Sequence, residues 1–275
     1  MSLSYLHRYH AGNFADIHKH ICLIALLESM QQKETPFTVF DIFAGEGQYL
    51  LSSAESRLNK EHANGIDVLI KAYTENYPDF SKSLVRFASL DFYPGSPYII
   101  SRYLRENDRA HFIEKHPKSF HYLKQNFTNA NNCHIHLRDA YEGANALLPP
   151  KTNRGLIFID PSYEIKKEYS AIVELVTKIL KKFSHGHYLI WYPILKNERY
   201  HERFTNEFEK LNLKKILKSE WYPDFAKKSK GLIGSGVLII NPSWKLDDKI
   251  SAEFDYLNIN VYRSGKQFTK WLNHY

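Results

Sequence analysis

The chain has 275 residues, of which 43% are hydrophobic, so it can form one full core with room for a small insertion. Its formal net charge of +7 favours an anionic partner, with nucleic acid expected before a membrane surface. Two cysteines without metal-ligand spacing exclude a disulfide framework, and no apolar run suits a membrane span or signal peptide, so we expect a cytoplasmic protein without a structural metal.

The first predicted element is a helix that begins at Ala15 and is closed by a proline. It follows an aromatic and basic opening that contains Tyr5. His18, Lys19 and His20 lie near the start of this helix. Two interpretations of these three side chains are open, a solvated cluster on the helix surface or part of a functional site.

Residues 37–43 predict the first strand, and a loop with Gly45 and Gly47 follows it directly. Glycines at the end of a first strand let the backbone approach a ligand closely. The spacing matches neither a dinucleotide-binding fingerprint nor a phosphate-binding loop. It favours an adenosyl-methionine pocket, with a plain tight turn as the alternative.

Residues 52–92 are polar, with scattered apolar residues at helical spacing, and they interrupt the alternation of strands and helices. We interpret this segment as a small helical insertion within a single domain that comprises residues 1–275. A helix over residues 98–104 then resumes the core, and Ser96 is expected to cap it.

Two further strands are followed by acids. Residues 110–114 form a strand that ends at Glu114, and an acid at this place in nucleoside-binding sheets accepts hydrogen bonds from ribose hydroxyls. Residues 133–137 form the next strand, which precedes Asp139 and Ala140. Asp139 either meets the adenine amino group of a cofactor or caps the following helix, and the pattern alone favours capping.

The central strand, residues 156–159, runs into Asp160, Pro161, Ser162 and Tyr163. Its apolar run is typical of a buried parallel strand, so the aspartate lies at a carboxyl end where open sheets bind ligands. The carboxylate and the proline carbonyl would accept the two N–H bonds of a purine amine and make its nitrogen nucleophilic. Tyr163 would stack on the base. An ordinary strand that ends in an aspartate is the alternative for this motif alone.

The later predicted elements are a helix at residues 169–183, a strand at residues 187–192 ended by Pro193, a helix at residues 198–211, an extended segment at residues 213–221 and a last central strand at residues 237–240. A basic loop with Lys227, Lys228 and Lys230 precedes the last strand. Such a loop either contacts phosphates or is simply solvated. The tail, residues 247–275, is polar and carries little functional signal.

A second copy of the strand-and-proline motif occurs at Asn241 and Pro242, after the last central strand. If the last two strands form a hairpin, the final strand runs antiparallel to the others, and its carboxyl end points away from the ligand crevice. Asp160 also follows the glycine loop and both acids in the expected order. We therefore place the amine site at Asp160.

These motifs together resemble one family. They are His10-Ala11-Gly12-Asn13, Ala15-Asp16, Lys19-His20, Phe43-Ala44-Gly45, Tyr93-Pro94-Gly95-Ser96-Pro97, Glu114, Asp139 and Asp160-Pro161-Ser162-Tyr163-Glu164. From about residue 5 through residue 246 the chain resembles the bacterial 23S ribosomal RNA adenine-N6 methyltransferases known as RlmJ. The resemblance implies an α/β, Rossmann-like class I fold with a mixed seven-stranded sheet, an antiparallel last strand and a small helical insertion. It also implies a monomer that transfers a methyl group from S-adenosylmethionine to N6 of one adenosine in 23S rRNA, naked or partly assembled.

The resemblance assigns roles to single residues. Asp160 is implied to be the catalytic acceptor, with Pro161 and Tyr163 completing the amine site. Tyr5 and Lys19 match positions near the substrate adenosine. The positions that match cofactor contacts are His20, Phe43, Gly45, Gly47, Ser96, Glu114, Asp139, Ala140 and Asp160.

Two positions depart from the family pattern. Ser162 stands where the family has a second proline, and Phe43 stands where relatives have a histidine, so the contact there can only be apolar. Two other functions are alternatives, a DNA adenine-N6 methyltransferase and a non-catalytic RNA-binding protein on a decayed methyltransferase fold. No DNA-recognition domain is apparent, which favours RNA, and the intact acids and glycine loop argue against decay.

Overall fold

A computed structural model describes residues 6–229 and 231–272. The strands are β1 (Thr38–Asp41), β2 (Gln48–Leu50), β3 (Phe92–Pro94), β4 (Arg109–Glu114), β5 (Cys133–Leu137), β6 (Gly155–Ile159), β7 (His187–Leu195), β8 (Ile216–Tyr222), β9 (Leu232–Ile240) and β10 (Lys266–Trp271). The α-helices are α1 (Phe14–Gln31), α2 (Ala54–Asn59), α3 (Ile66–Lys71), α4 (Asp79–Phe87), α5 (Ser96–Tyr103), α6 (Pro117–Asn126), α7 (Ala140–Leu147), α8 (Lys167–Leu180), α9 (Tyr200–Lys210) and α10 (Leu246–Tyr256). Short 3₁₀ turns lie at His7–Tyr9, Glu61–Asn64 and Asp224–Lys228, and a π-helical turn lies at Leu257–Val261.

Eight strands form one mixed sheet in the spatial order β10-β8-β9-β7-β6-β1-β4-β5. Strands β7, β6, β1, β4 and β5 are parallel, whereas β9 is antiparallel to β7 and β8, and β10 is antiparallel to β8. From β1 the chain proceeds to β4 and β5 on one side and then returns to β6 on the other. The switch point therefore lies between β1 and β6, and open sheets bind ligands outside the carboxyl ends of their strands at such a point.

Strand β6 lies at the centre of the core because both of its faces are buried. Leu156 and Phe158 pack into a core that includes α1, and Ile157 and Ile159 pack into a second core that includes α8. This alternation is the one that a parallel strand covered on both faces requires. In the described residues no helix has the length and apolar character that a membrane crossing needs.

The antiparallel direction predicted for the last central strand is confirmed by its pairing with β7. The predicted number of seven strands is wrong, because the tail adds α10 and the edge strand β10. Phe254 and Leu257 of this tail are buried in the first core. The strand was missed because side chains of an edge strand alternate between exposed and half-buried positions, so the segment has no apolar run.

Pro193 does not end β7, which continues to Leu195. Strand β6 pairs with β7 only as far as Ile190, whereas β9 continues to pair beyond it, and Pro193 lies opposite Ser235 of β9. Proline is tolerated there because the strand is paired on one side only.

Helices α2, α3 and α4 occupy about half of residues 52–92, in line with the helical spacing of this segment. Strands β2 and β3 pair antiparallel at its base. Leu69, Tyr77 and Leu84 are buried in the same core as α1, so the segment shares the core of the rest of the chain.

Candidate active site

A cleft of about 700 Å³ lies at the carboxyl ends of β1, β6 and β7. Its walls combine the glycine loop, the N-terminal part of α1 and the turn after β6. The residues of these three segments in its lining are Asn13, Phe14, Ala15, Asp16, Lys19, His20, Phe43, Ala44, Gly45, Glu46, Asp160, Pro161, Ser162, Tyr163 and Glu164. Asp160 therefore shares one cleft with the loop that follows β1.

Lys19 is the cation at the floor of this cleft. Its Nζ lies 2.5 Å from Oδ2 of Asp160 and 2.7 Å from Oδ1 of Asp16, and its side chain is only 4% exposed. Burial disfavours the charge of Lys19, but the two carboxylates raise its pKa overall. Burial raises the pKa of Asp160, and Lys19 counters part of that rise.

The segment before α1 holds Asp16 in place. Gly12 N donates to Oδ2 of Asp16 at 2.8 Å, and His7 Nε2 lies 3.0 Å from the same oxygen. Asn13 caps α1, because its side chain accepts a hydrogen bond from Asp16 N. Burial alone would raise the pKa of Asp16, but His7 and Lys19 hold it well below its usual range. Asp16 is thus an ionised, buried carboxylate that fixes Lys19.

The solvated cluster considered for the start of α1 is wrong. His18 is fully buried and hydrogen-bonds to Ser219 and Ser235, and His20 shares a 2.7 Å hydrogen bond with the Tyr93 hydroxyl. Burial lowers the pKa of each histidine to about 3, so both are neutral. His20 lines the cleft, whereas His18 belongs to the core behind it.

Glu114 and Gly45 join the ends of β4 and β1. Glu114 accepts hydrogen bonds from Gly45 N at 2.9 Å and from His116 N at 2.6 Å. Gly45 has φ +62°, and a Cβ on it would lie 2.3 Å from the Tyr49 hydroxyl, so the loop needs glycine there. Gly47 is outside the cleft lining and instead packs against Phe127.

Asp41, the last residue of β1, is fully buried behind the glycine loop. Its Oδ2 atom has no hydrogen-bond partner within residues 6–229 and 231–272. Burial raises the pKa of Asp41 to about 7. Ser96 lines the cleft nearby, but the predicted cap is wrong, because Gly95 occupies the N-cap position of α5 and no side chain caps that helix.

Asp139 and Ala140 line a small pocket beside the main cleft. Oδ1 of Asp139 accepts hydrogen bonds from Tyr141 N and Glu142 N, so the capping interpretation is confirmed. Its Oδ2 lies 3.0 Å from Lys115 Nζ. The small pocket shares Phe43, Glu114 and Lys115 with the main cleft. A contact of Asp139 and Ala140 with the cofactor stays a prediction.

Tyr163 occupies a left-handed conformation (φ +53°) in the turn after β6. Its ring packs against Tyr169, with 4.4 Å between centroids, and its hydroxyl donates to the Trp191 carbonyl at 2.8 Å. Trp191 also lies beneath Lys19, whose Nζ is 5.2 Å from the indole centroid. The predicted base-stacking ring is therefore fixed by an aromatic cluster at the cleft wall.

Asn241 lies away from this cleft. Its side-chain amide donates to the carbonyls of Ser184 and Gly186, which precede β7. Because β9 is antiparallel to β7, its carboxyl end is at the opposite edge of the sheet. The geometry agrees with the choice of Asp160 over this second copy.

A family model described as "Ribosomal RNA large subunit methyltransferase D, RlmJ" matches residues 34–273. The chain belongs to the RlmJ family. Relatives named "Ribosomal RNA large subunit methyltransferase J" from Escherichia coli (strain K12) and Haemophilus influenzae are each 34% identical to it, over 270 and 274 residues, and each alignment covers 96% of this chain and 95% of the relative. A crystal structure of a Legionella pneumophila protein has 31% identity and a TM-score of 0.86, and covers 95% of this chain and 98% of that one. The mixed α/β sheet is accordingly the Rossmann-like methyltransferase fold predicted from the sequence.

The RlmJ resemblance selected residues that the fold largely brings together. The predicted residues in the cleft lining are Lys19, His20, Phe43, Gly45, Ser96, Glu114, Asp160, Pro161 and Tyr163. Tyr5 lies outside the described residues. Reasoning from the sequence missed Asp16, Asp41 and Trp191. Each had a feature in the sequence that could have found it. Asp16 is the acid of the Ala-Asp pair, Asp41 comes near the end of the first predicted strand, and Trp191 is an aromatic residue near the end of a strand.

RlmJ membership implies S-adenosylmethionine as the methyl donor. The residues present fit this group, because the cleft floor carries more carboxylate than cationic groups and Asp41 Oδ2 is an orphaned buried acceptor beside it. A donor that bears ammonium and sulfonium charges suits such a floor. The cleft volume is also within the range of small-molecule sites. Among the described residues, no group of three or more His, Cys, Asp or Glu is arranged to hold a metal ion.

Proposed function

We propose that this RlmJ-family chain transfers a methyl group from S-adenosylmethionine to the N6 atom of an adenosine in 23S ribosomal RNA. The observation that carries the proposal is the position of Asp160 and Pro161 at the switch point of the sheet. They line the same cleft as Gly45 and Glu114, at the carboxyl ends of neighbouring parallel strands.

Asp160 is proposed to orient the amine rather than to abstract a proton from it. The lone pair of an adenine amine is delocalised into the ring, so the nitrogen is a poor nucleophile. Acceptance of its two N–H bonds by the Asp160 carboxylate and the Pro161 carbonyl favours a tetrahedral nitrogen with a free lone pair. The donor supplies a methyl group on a positively charged sulfur, and positive charge is lost from that sulfur as the bond forms. Positioning therefore accounts for much of the rate.

Lys19 is proposed to keep the Asp160 carboxylate ionised and oriented for this role. The ion pair engages Oδ2, and we propose that Oδ1 accepts an amine N–H. Burial raises the pKa of Asp160, and an adjacent cation favours the ionised carboxylate. An ionised acceptor forms the stronger hydrogen bond.

The two halves of the cleft have different proposed ligands. Glu114 is proposed to accept hydrogen bonds from ribose hydroxyls of the donor, since a carboxylate oxygen that accepts one main-chain N–H retains a second lone pair. Phe43 supplies an apolar contact beside it. Tyr163 and Trp191 form the wall next to Asp160 and would contact the face of the target base, which must leave its stack to reach the site.

Methyl incorporation with two variants tests the proposal. Purified protein is incubated with labelled methyl donor and either a 23S rRNA transcript or duplex DNA, and N6-methyladenosine is quantified by nucleoside mass spectrometry. We expect label in the rRNA, and a loss of about 10²–10³-fold in kcat for Asp160→Asn, the scale seen when one oriented polar group is removed. Asn241→Ala is the matched control and should remain within about threefold. Label in DNA alone, or loss only in the Asn241 variant, would contradict the assignment.

We further infer that the protein acts as a cytoplasmic monomer on naked or partly assembled rRNA. Light scattering of the active protein tests the oligomeric state. Comparison of free 23S rRNA with intact large subunits as substrates tests the assembly state, and equal rates on finished subunits would oppose the inference.

A further inference from the structure

We propose that Lys196, Lys227 and Lys228 form a phosphate-binding rim that holds the RNA on either side of the target adenosine. The inference rests on the proposed function and extends it to the substrate. These lysines lie on two loops, one after β7 and one before β9. The name phosphate rim is used below for these three residues.

The order of the strands puts this rim on the substrate side of the cleft. Glu114 and the glycine loop follow β4 and β1, on one side of β6. β7 and β9 lie on the other side, and the cleft lining there includes Leu195, Phe225 and Leu232. Asp160, which follows β6, separates the two halves. A base held at Asp160 therefore enters past the loops that carry the phosphate rim.

The two loops form one connected surface. Lys196 N donates to the Gly231 carbonyl at 3.0 Å, and Lys196 Nζ donates to the Lys227 carbonyl at 3.2 Å. Lys227 and Lys228 end the 3₁₀ turn that begins at Asp224. The two loops are thus held together by one main-chain hydrogen bond and one from a lysine side chain, although they are distant in sequence.

Carboxylates outnumber lysines in the cleft lining, whereas the phosphate rim is basic. Asp16, Asp160 and Glu114 line the floor, where a phosphate would be repelled. All three side chains of the phosphate rim are exposed, and one of them, Lys227, pairs with Asp224. RNA phosphates are therefore expected at the rim, while the adenine amine reaches the floor.

Apolar side chains on or beside the same two loops line the cleft. Leu195, Phe225 and Leu232 offer contact area to a base, not to a phosphate. A flipped nucleotide fits this arrangement, because its base enters the cleft while the two flanking phosphates stay outside.

The test compares triple alanine variants with equal change in charge. One variant replaces the phosphate rim, and the control replaces Lys178, Lys181 and Lys214, which are exposed and lie outside the cleft lining. For each protein, kcat and KM for a 23S rRNA fragment are measured from about 50 to 200 mM salt. A third variant, with arginine at the three rim positions, restores the charge but not the lysine side chains.

We expect the alanine rim variant to raise KM for RNA about tenfold or more at the lowest salt, and to reduce the slope of log KM against log salt by about 2, since each lost phosphate contact contributes roughly 0.7 for single strands. Its kcat at saturating RNA and its affinity for S-adenosylmethionine, measured by calorimetry, should stay within about twofold, and the arginine variant should recover KM.

A rim variant that matches the control in KM and salt slope, while the wild type methylates rRNA, would overturn the phosphate rim alone. An increase in KM that the arginine variant does not reverse would also overturn it. A wild-type protein that neither methylates nor binds the RNA would overturn the proposed function and the rim together.

Discussion

Replacement of Lys19 by methionine is the sharpest perturbation of the cleft floor. Methionine keeps most of the aliphatic stem and removes the ammonium group that Asp16 and Asp160 share. Both carboxylates then lose their nearest cation, while Asp41 lies buried close by. We expect lower stability and a changed pH dependence of methyl transfer.

The stability loss follows from burial. The Lys19 side chain is 4% exposed, and those of Asp16 and Asp160 are 1% and 13% exposed, so solvent screens the charges weakly. Removal of one partner from a buried pair costs about 3–5 kcal/mol. For a chain of 275 residues, with an unfolding entropy of about 2.1 cal/mol/K per residue, that corresponds to a fall in Tm of roughly 5–9 °C.

The pH dependence has a definite sign. Burial raises the pKa of Asp160, and Lys19 opposes that rise, so its removal raises the pKa further. A larger fraction of Asp160 is then protonated at a given pH, and a protonated carboxyl is a poorer acceptor for the amine. The acid limb of the kcat/KM profile should move to higher pH in Lys19→Met.

Thermal unfolding at pH 7.5 and kcat/KM between pH 5.5 and 9 measure the two effects. Lys178→Met, at an exposed position on α8, is the control and should change neither quantity. A Tm for Lys19→Met within 2 °C of the wild type would refute the reasoning about burial. An acid limb that stays in place would refute the coupling to Asp160.

Three further outcomes are expected. Gly45→Ala should lower both the affinity for S-adenosylmethionine and the free energy of unfolding, because φ of this residue is +62° and the new Cβ meets Tyr49. The loss in free energy of unfolding is about 1–3 kcal/mol. Unchanged calorimetric binding and an unchanged melting temperature would contradict this. Burial lowers the pKa values of His18 and His20 to about 3, so both are neutral in the folded protein. The free energy of unfolding should therefore fall as pH drops from about 6.5 toward 3, since only the unfolded chain gains these protons. Denaturant titrations at pH 7 and 5.5 check the sign. Tyr163→Phe should lower the free energy of unfolding by about 1 kcal/mol through loss of its hydrogen bond, yet keep kcat within a few-fold, because the proposed contact with the base is made by the ring and the hydroxyl is bound to the Trp191 carbonyl; a kcat loss of 10²-fold would assign the hydroxyl a role in the reaction.

Elements with one dominant local signal were predicted well from the sequence. Strand β5 has the expected bounds, Cys133–Leu137, and all residues of β6 are buried, as its uninterrupted apolar run requires. The motif after β6 reached the cleft because the direction of a parallel strand determines which edge its end faces.

The polar residues of α1 were harder to place, because their partners are distant in the sequence. His18 bonds to residues more than 200 positions away, and Lys19 pairs with Asp160. Every residue from Phe14 to Leu27 is buried, so this part of the helix has no exposed face from which a periodicity could be read. An amphipathic interpretation therefore left open whether these side chains lie on the surface or in a functional site.

Asp160 and Asn241 show why a local motif is insufficient to locate a site. Each follows an apolar strand and precedes a proline, yet one strand is parallel to its neighbours and the other is antiparallel. Because its strand is reversed, Asn241 lies at the edge where the parallel strands begin. Its side-chain amide donates hydrogen bonds there to the carbonyls of Ser184 and Gly186. The direction of β9 depends on its antiparallel pairing with β8 and β7, and not on the residues of the motif itself. The chemistry thus follows from topology first and from the motif second, and the same string of residue types supports either an amine site or a structural turn.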